Sequence, residues 1–193
     1  MRVVNARPNT LAVAALDLNP ADRVLEVGCG PGHALSLMAA RVSRGTIHGI
    51  DPSPVMLAQA RRRNQRACTA GRIRLCRARA EQLPFADSSF DKILAVNVAY
   101  FWLDPVGTLA EIRRVLRPRG VLSVYVTDAP VMRRWPFARA ETHRLFDRAE
   151  VTCCFRDAGF AQTDFGIVPV RISRFVTGLI ATARLRRGPG PAR

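Results

Sequence analysis

Lysine is almost missing from this chain of 193 residues, because Lys92 is its single lysine and every other basic residue is arginine. The 30 basic residues stand against only 15 acidic ones, which gives a formal net charge of +15. Such a charge favours a polyanionic partner. A skew this strong toward arginine also fits coding bias in a GC-rich gene. We therefore expect these arginines to lie on a solvated surface. The densest run comprises Arg61, Arg62, Arg63, Arg66, Arg72, Arg74, Arg77 and Arg79.

Long apolar runs and paired cysteines are missing as well. No stretch approaches the roughly 20 apolar residues of a membrane-spanning helix. Asn5, Arg7 and Asn9 interrupt the region where a signal peptide has its apolar core. The five cysteines are odd in number and contain no Cys-x-x-Cys pair, which argues against disulfides and against zinc. We therefore expect a cytoplasmic protein that holds no metal.

Apolar strand-like segments alternate with helical segments, which predicts a doubly wound α/β sheet. The length favours one domain, which we place at residues 1–183, followed by a disordered Gly/Pro tail at 184–193. The first helix is predicted at residues 9–18 and the fifth strand at 121–127. The last two strands are predicted at 160–168 and 172–183. Helix starts are indicated by Ser53-Pro54, Asp104-Pro105 and the capping box of Asp147 and Glu150, and a helix end by Gly159.

The most informative segment is the glycine-rich turn after the first strand. Gly28, Gly30 and Gly32 follow residues 24–27, which are apolar except for Glu26, and a helix comes next. Such a helix start directs free N–H groups toward a ligand. The spacing is G-x-G-x-G, with His33 in place of the third dinucleotide glycine, which argues against a dinucleotide oxidoreductase. About twenty residues later Asp51 ends the second strand, where nucleotide folds bind a ribose diol.

Four segments in this order, VLEVGCGPG, GIDPSPVML, AEQLPFADSSFD and EIRRVLRPRGVLSV, resemble class I S-adenosylmethionine-dependent methyltransferases. The similarity is to the small-molecule branch called methyltransferase domain 11 or UbiE-like, and it covers residues 5–127 well. The resemblance implies a Rossmann-like sheet of seven mostly parallel strands with one antiparallel strand and helices on both faces. It also implies S-adenosyl-L-methionine as the cofactor, bound at the carboxyl ends of the strands.

The resemblance further implies which residues bind the cofactor. The glycines let the backbone approach the methionyl part, and Asp51 accepts hydrogen bonds from both ribose hydroxyls. Glu26 either contacts the ammonium through water or caps local N–H groups, and Met56 lies beside the adenine or in the core. The full set is Glu26, Gly28, Cys29, Gly30, Gly32, Asp51, Pro52, Ser53, Met56, Ala80, Glu81 and Asn97.

The segment after the fourth strand is where the family places the acceptor. We expect Tyr100, Phe101 and Trp102 to line it, although Phe101 equally fits an aromatic plug between helix and sheet. Methyl transfer from a sulfonium depends mainly on positioning, so neither a catalytic triad nor a metal is needed. The catalytic residue stays unassigned, with Tyr100 and His143 as candidates.

Two positions depart from the family pattern. Arg79 replaces an acidic residue that binds the adenine amino group, so the Ala80 backbone and Glu81 are expected to recognise adenine. Arg119 replaces the first glycine of a Pro-Gly-Gly turn, which predicts a turn without positive φ at that residue.

These patterns favour an S-adenosylmethionine-dependent methyltransferase with a small-molecule acceptor. One alternative is a methyltransferase of RNA or another nucleic acid, which would use the positive charge. Residues 97–100 argue against this alternative, because they lack the Pro-Pro pair found in methyltransferases that act on the amino groups of nucleic-acid bases. The other alternative is a non-catalytic S-adenosylmethionine-binding module.

Overall fold

A computed structural model of the chain describes residues 6–135 and 144–186. The strands are β1 (Arg23–Val27), β2 (Thr46–Asp51), β3 (Ile73–Arg77), β4 (Phe90–Val96), β5 (Leu116–Thr127), β6 (Phe165–Arg171) and β7 (Thr177–Arg184). They form one sheet in the order β3-β2-β1-β4-β5-β7-β6. Strand β7 is antiparallel to both of its neighbours, and the remaining pairs are parallel. The predicted Rossmann-like sheet of seven strands is confirmed.

Helices cover both faces of this sheet. They are α1 (Ala6–Ala14), α2 (His33–Ala39), α3 (Pro54–Arg63), α4 (Gln65–Thr69), α5 (Pro105–Val115), α6 (Ala129–Met132) and α7 (Arg148–Asp157). A 3-10 turn spans Ala99–Phe101. One hydrophobic cluster contains Ile112 and Phe155 from α5 and α7, and a second contains Ala12, Leu35 and Ala60 from α1, α2 and α3. In the described part of the chain, no helix has the length and apolarity to cross a membrane.

The predicted helix signals are confirmed. The Ser53 hydroxyl accepts a hydrogen bond from the Met56 N–H, and Asp104 accepts one from the Gly107 N–H. Asp147 and Glu150 form the reciprocal capping box at the start of α7. Gly159 has a φ of 85°, which is the left-handed conformation expected after the end of that helix.

Some predicted boundaries and one turn are wrong. Helix α1 lies three residues earlier than the start that we predicted, and β6 begins at Phe165 because the chain first turns at Ala161–Asp164. Arg119 has a φ of 67°, contrary to our expectation. Its N–H donates to the Leu185 carbonyl at 2.8 Å, which holds the turn at the start of the long strand β5.

The start of the predicted tail is ordered. Arg184 is the last residue of β7, the Leu185 N–H donates to the Gly120 carbonyl, and Arg186 forms an ion pair with Asp164. These contacts continue the sheet edge past residue 183, so the predicted boundary is too early. The rest of the tail, residues 187–193, lies outside the described residues.

Candidate functional site

A cavity of about 320 Å³ lies at the carboxyl ends of β1, β2 and β4. Because these three strands are parallel neighbours, the segments that follow them meet at one edge of the sheet. The predicted residues that line the cavity are Glu26, Gly28, Cys29, Gly30, Asp51, Pro52, Asn97 and Phe101. The structure therefore brings together most of the set implied by the resemblance.

The glycines of the turn have different tasks. A Cβ on Gly28 would lie 2.3 Å from Cγ2 of Val98, so the turn passes directly against the segment after β4. Gly32 is the N-cap of α2, with a φ of 78°, and does not line the cavity. A Cβ there would lie 2.6 Å from Nδ2 of Asn64, so Gly32 allows α2 to pack closely against α3. A glycine is thus needed at position 32 because a side chain there would clash with Asn64 and Ala60.

Asp51 fixes the turn as well as facing the cavity. Its Oδ2 accepts a hydrogen bond from the Gly30 N–H, and its Oδ1 accepts one from the Ser53 N–H, both at 2.9 Å. The carboxylate is 8 % exposed. Each carboxylate oxygen can accept more than one hydrogen bond, so both atoms retain capacity for hydroxyl donors such as a ribose diol.

Glu26 is the buried acid of the site. Oε2 of its carboxylate has no hydrogen-bond partner among the described residues. Burial raises the pKa of Glu26 well above its ordinary value, and the neighbouring charge of Asp51 raises it further. A buried acceptor oxygen without a donor is costly. A cationic ligand group in the cavity would supply the missing donor, and the ammonium of the cofactor is such a group.

The segment after β4 is held by a buried tyrosine. Asn97 lines the cavity with a φ of 55°, an unusual value for a residue other than glycine. The Tyr100 hydroxyl donates to Oδ1 of Asn97 at 3.1 Å and accepts a hydrogen bond from the Thr127 N–H of β5. Tyr100 is 6 % exposed and does not line the cavity. Burial raises the pKa of its hydroxyl, and both hydrogen bonds of this group are made within the protein, so we expect Tyr100 to hold Asn97 in place.

The other candidates lie away from the cavity or outside the described residues. Trp102 is buried in the cluster shared with α5 and α7. Ser53 caps α3, and Met56 on its first turn is half-buried. Ala80 and Glu81 follow β3 at a distance from the glycine turn and do not line the cavity. His143 lies outside the described residues.

Sequence reasoning missed several lining residues. They are Asn9, Pro31, His33, Ala34, Val96 and Val98. Pro31 and His33 adjoin the glycine turn and Val98 follows Asn97, so their position in the motifs was a usable signal. No local sequence signal pointed to Asn9, because this residue reaches the site only through the packing of α1 against α2, β4 and β5.

The cavity offers carboxylates and backbone groups but no metal site. In the described ranges, no group of three or more His, Cys, Asp or Glu side chains is placed to hold a metal ion. Burial raises the pKa of the Cys29 thiol, which disfavours a nucleophilic thiolate. The site is therefore built to bind and position a ligand.

Comparison with known proteins agrees with this reading. The methyltransferase-domain family matches residues 25–124. The uncharacterized methyltransferase YdaC of Bacillus subtilis is 32% identical over 164 residues, which is 85% of each chain. The malonyl-[acyl-carrier protein] O-methyltransferase of Halorhodospira halophila is 32% identical over 148 residues, and the match covers 72% of this chain and 48% of that protein.

A solved structure shows the same fold. It is the complex between the Haloferax volcanii Trm112 methyltransferase activator and a methyltransferase, with a TM-score of 0.83 and 21% identity. The match covers 98% of this chain and 92% of that one. By its motifs, fold and relatives, this chain belongs to the methyltransferase-domain family and is a class I S-adenosylmethionine-dependent methyltransferase.

Proposed function

We propose that the chain moves a methyl group in line from the sulfonium of S-adenosylmethionine to a small-molecule acceptor. The observation that carries the proposal is a single cavity lined by Glu26, whose Oε2 has no partner among the described residues, by the glycine turn and by Asp51, with Phe101 as one wall. When bound, the cofactor supplies an activated methyl group, whose bond to sulfur breaks as the lone pair of the acceptor bonds to the carbon.

The protein would position the reacting groups. Glu26 would hold the ammonium, Asp51 would hold the ribose hydroxyls, and Gly28 would let the backbone pass close to the ligand. Such placement of reactants provides an effective molarity on the order of 10⁵–10⁸ M, or about 7–11 kcal/mol. The aromatic ring of Phe101 would exclude water and favour the cationic sulfur. No proton transfer is needed when the acceptor oxygen is already ionised, as in a carboxylate, whereas a neutral hydroxyl acceptor would release its proton to solvent.

The charge of the cavity supports a small acceptor over a nucleic acid. Although the chain has a net charge of +15, no arginine of the described residues lines this cavity. Its ionisable lining residues are Glu26, Cys29, His33 and Asp51. A phosphate backbone at this cavity would therefore meet no arginine among the described residues. The relative named as an O-methyltransferase supports oxygen as the acceptor atom.

Calorimetry tests cofactor binding. We expect S-adenosylmethionine and S-adenosylhomocysteine to bind with one site per chain and NAD not to bind. Binding of NAD alone would contradict the proposal. A chain that binds the first two but never forms S-adenosylhomocysteine with alcohols, carboxylic acids, amines or thiols would instead be a binding module.

The substitution Phe101→Ala tests whether Phe101 forms a wall of the acceptor site. Phe101 is 59% exposed and lines the cavity, whereas Val55 is 60% exposed and does not. With an acceptor found by the turnover assay, Phe101→Ala is expected to raise the KM for that acceptor and to leave the Kd for S-adenosylhomocysteine within about twofold. Val55→Ala is the matched control. Equal effects of the two substitutions would contradict a role of Phe101 in the acceptor site.

A further inference from the structure

We propose that an arginine-rich groove on α3, α4 and β3 docks the phosphate backbone of a nucleic acid. Between Asp51 and Glu81 the sequence holds eight arginines and no acidic residue. More than half of the formal net charge of +15 therefore lies in this one segment. We call these residues the arginine surface: Arg61, Arg62, Arg63, Arg66, Arg72, Arg74, Arg77 and Arg79.

The charge of the arginine surface is not neutralised within the described structure. None of the ion pairs among residues 6–135 and 144–186 includes one of these arginines. Arg63, Arg72 and Arg77 donate to the backbone carbonyls of neighbouring segments. The remaining five guanidinium groups make no hydrogen bond to a described residue, and all five side chains are exposed. They are available to an external anion.

The surface is shaped as well as charged. One open groove of about 730 Å³ is lined by Arg61, Arg62 and Arg74. A second, of about 720 Å³, is lined by Arg62, Arg63 and His33. Arg62 lines both, so the two grooves are neighbours on the surface between the edge strand β3 and the start of α2 at His33. Each is larger than the cofactor cavity of about 320 Å³, so an extended ligand has room.

The composition of the groove favours phosphates over a protein partner. Protein interfaces are anchored by aromatic residues and methionine, and residues 52–84 contain no Phe, Tyr or Trp. The same lack leaves no aromatic platform for stacked bases, so we expect contact with the phosphate backbone alone. The groove instead offers arginine side chains. Their planar guanidinium groups bind phosphate oxygens in pairs. Backbone contacts of this kind position a nucleic acid without reading its sequence.

The groove is separate from the acceptor wall. In the sheet, β2 and β1 lie between β3 and the strand β4 that precedes Phe101. A nucleic acid in the groove would thus lie beside the cofactor cavity as a binding partner. This inference goes beyond the proposed methyl transfer to a small molecule and does not depend on it.

The test is fluorescence anisotropy with a labelled single-stranded RNA of mixed sequence and about 20 nucleotides, titrated between about 50 and 200 mM NaCl. One variant, called the groove variant, combines Arg61→Gln, Arg62→Gln and Arg74→Gln, which line the first groove, with Arg66→Gln, an exposed residue of the same arginine surface. The matched control combines Arg113→Gln, Arg148→Gln, Arg171→Gln and Arg174→Gln, which lie toward the β6 edge and remove the same charge. Circular dichroism and the Kd for S-adenosylhomocysteine confirm that both variants are folded and bind the cofactor product.

We expect the wild type to bind with a steep salt dependence. In the groove variant, the slope of log K against log salt should be smaller by about 3, since each lost phosphate contact removes about 0.7. The control variant should keep the wild-type slope. Equal losses in both variants would show diffuse attraction by the net charge and overturn the groove. Tighter binding of a polyglutamate peptide than of RNA would overturn the choice of nucleic acid.

Discussion

The carboxylate of Asp51 ties the Gly30 and Ser53 N–H groups together, and the same two oxygens face the cavity. Glu26 presents an unpartnered oxygen beside it, and Asn97 is held in an unusual backbone conformation by Tyr100. At the scale of residues, the binding groups are thus already oriented by contacts within the protein. Preorganisation of this kind reduces the ordering cost of binding.

Replacing Asp51 separates its two roles. Asp51→Ala is expected to weaken S-adenosylhomocysteine binding by on the order of 2–4 kcal/mol, because a buried diol loses both charge-assisted hydrogen bonds. It should also lower the thermal midpoint, since the glycine turn loses its anchor. Asp51→Asn keeps the size of the side chain, so its midpoint should lie closer to the wild type. Wild-type affinity of Asp51→Ala by calorimetry would show that the ribose role is wrong.

The raised pKa of Glu26 predicts a pH dependence of binding. Below that pKa the free protein holds the proton, which must leave before the carboxylate can pair with an ammonium. Affinity for S-adenosylhomocysteine should therefore rise as the pH rises through the raised pKa of Glu26, by at most about tenfold per pH unit. Glu26→Gln should flatten this profile.

The same shift has a consequence for stability. A folded-state pKa above the unfolded one means that the free energy of unfolding falls as the pH rises through the raised pKa. Glu26→Gln should therefore be more stable than the wild type at neutral pH, with a smaller difference at acidic pH. A wild-type pH profile of binding in Glu26→Gln would contradict the role assigned to this carboxylate.

Tyr100 is expected to act through Asn97. Tyr100→Phe keeps the buried ring but removes the hydroxyl, and loss of about 1–1.5 kcal/mol should weaken S-adenosylhomocysteine binding by about five- to tenfold. In the background of Asn97→Gly, which adopts positive φ without a side-chain contact, the same substitution should have a smaller effect. An equal loss in both backgrounds would contradict this coupling. If the pH dependence of activity disappeared in Tyr100→Phe, Tyr100 would instead act as a base.

At the scale of elements, the junction between α5 and β5 stores backbone strain. Helix α5 ends at Val115 and β5 begins at the next residue, so the chain turns within the first residues of the strand. Arg119 adopts a φ of 67° there, and its N–H bonds to the Leu185 carbonyl after β7. The turn thereby fastens the end of the antiparallel strand to the sheet.

Arg119→Gly should relieve this strain. Glycine adopts positive φ without a Cβ clash, so we expect the free energy of unfolding to rise by about 0.5–1 kcal/mol. Arg113→Gly is the matched control, because it removes the same charge from the exposed side of α5 and should lower stability by about 1 kcal/mol. Thermal or denaturant unfolding checks both. Destabilisation of equal size in the two variants would show that Arg119 is not strained.

At the scale of the whole molecule, net charge opposes compactness. The 30 basic residues exceed the 15 acidic ones, and arginine stays charged over the accessible pH range. Uncompensated charge of one sign destabilises the folded state through self-repulsion. Salt should weaken this repulsion, because the Debye length falls to about 8 Å at physiological ionic strength.

The expected result is a thermal midpoint that rises as NaCl is increased from about 20 to about 200 mM. Sodium sulfate at equal ionic strength is the comparison, since it screens equally but also binds to clustered arginines. The groove variant should be less responsive to salt than the wild type. A midpoint that falls with added NaCl would contradict a dominant role of charge repulsion.

The local chemistry of the sequence predicted the elements that carry the fold. Ser53-Pro54, Asp104-Pro105 and the capping box of Asp147 depend on neighbours within a few residues, and all three are confirmed. The glycine turn and Asp51 were predicted for the same reason, because spacing along one βαβ unit places them at one end of parallel strands. Arg119 shows the limit, since its positive φ is held by a bond to Leu185, far away in sequence.

By itself, the sequence determined the family, the order of the strands, and the acidic and glycine residues that the structure places around the cavity. Only the tertiary structure decided which aromatic residue faces the cavity: adjacent Tyr100, Phe101 and Trp102 point respectively to Asn97, to the cavity and to the core. It also brought Asn9 to the site and placed Arg74 of β3 beside Arg61 and Arg62 of α3 around one groove. The reason is physical, because side-chain direction and distant packing are set by contacts between elements that no local pattern encodes.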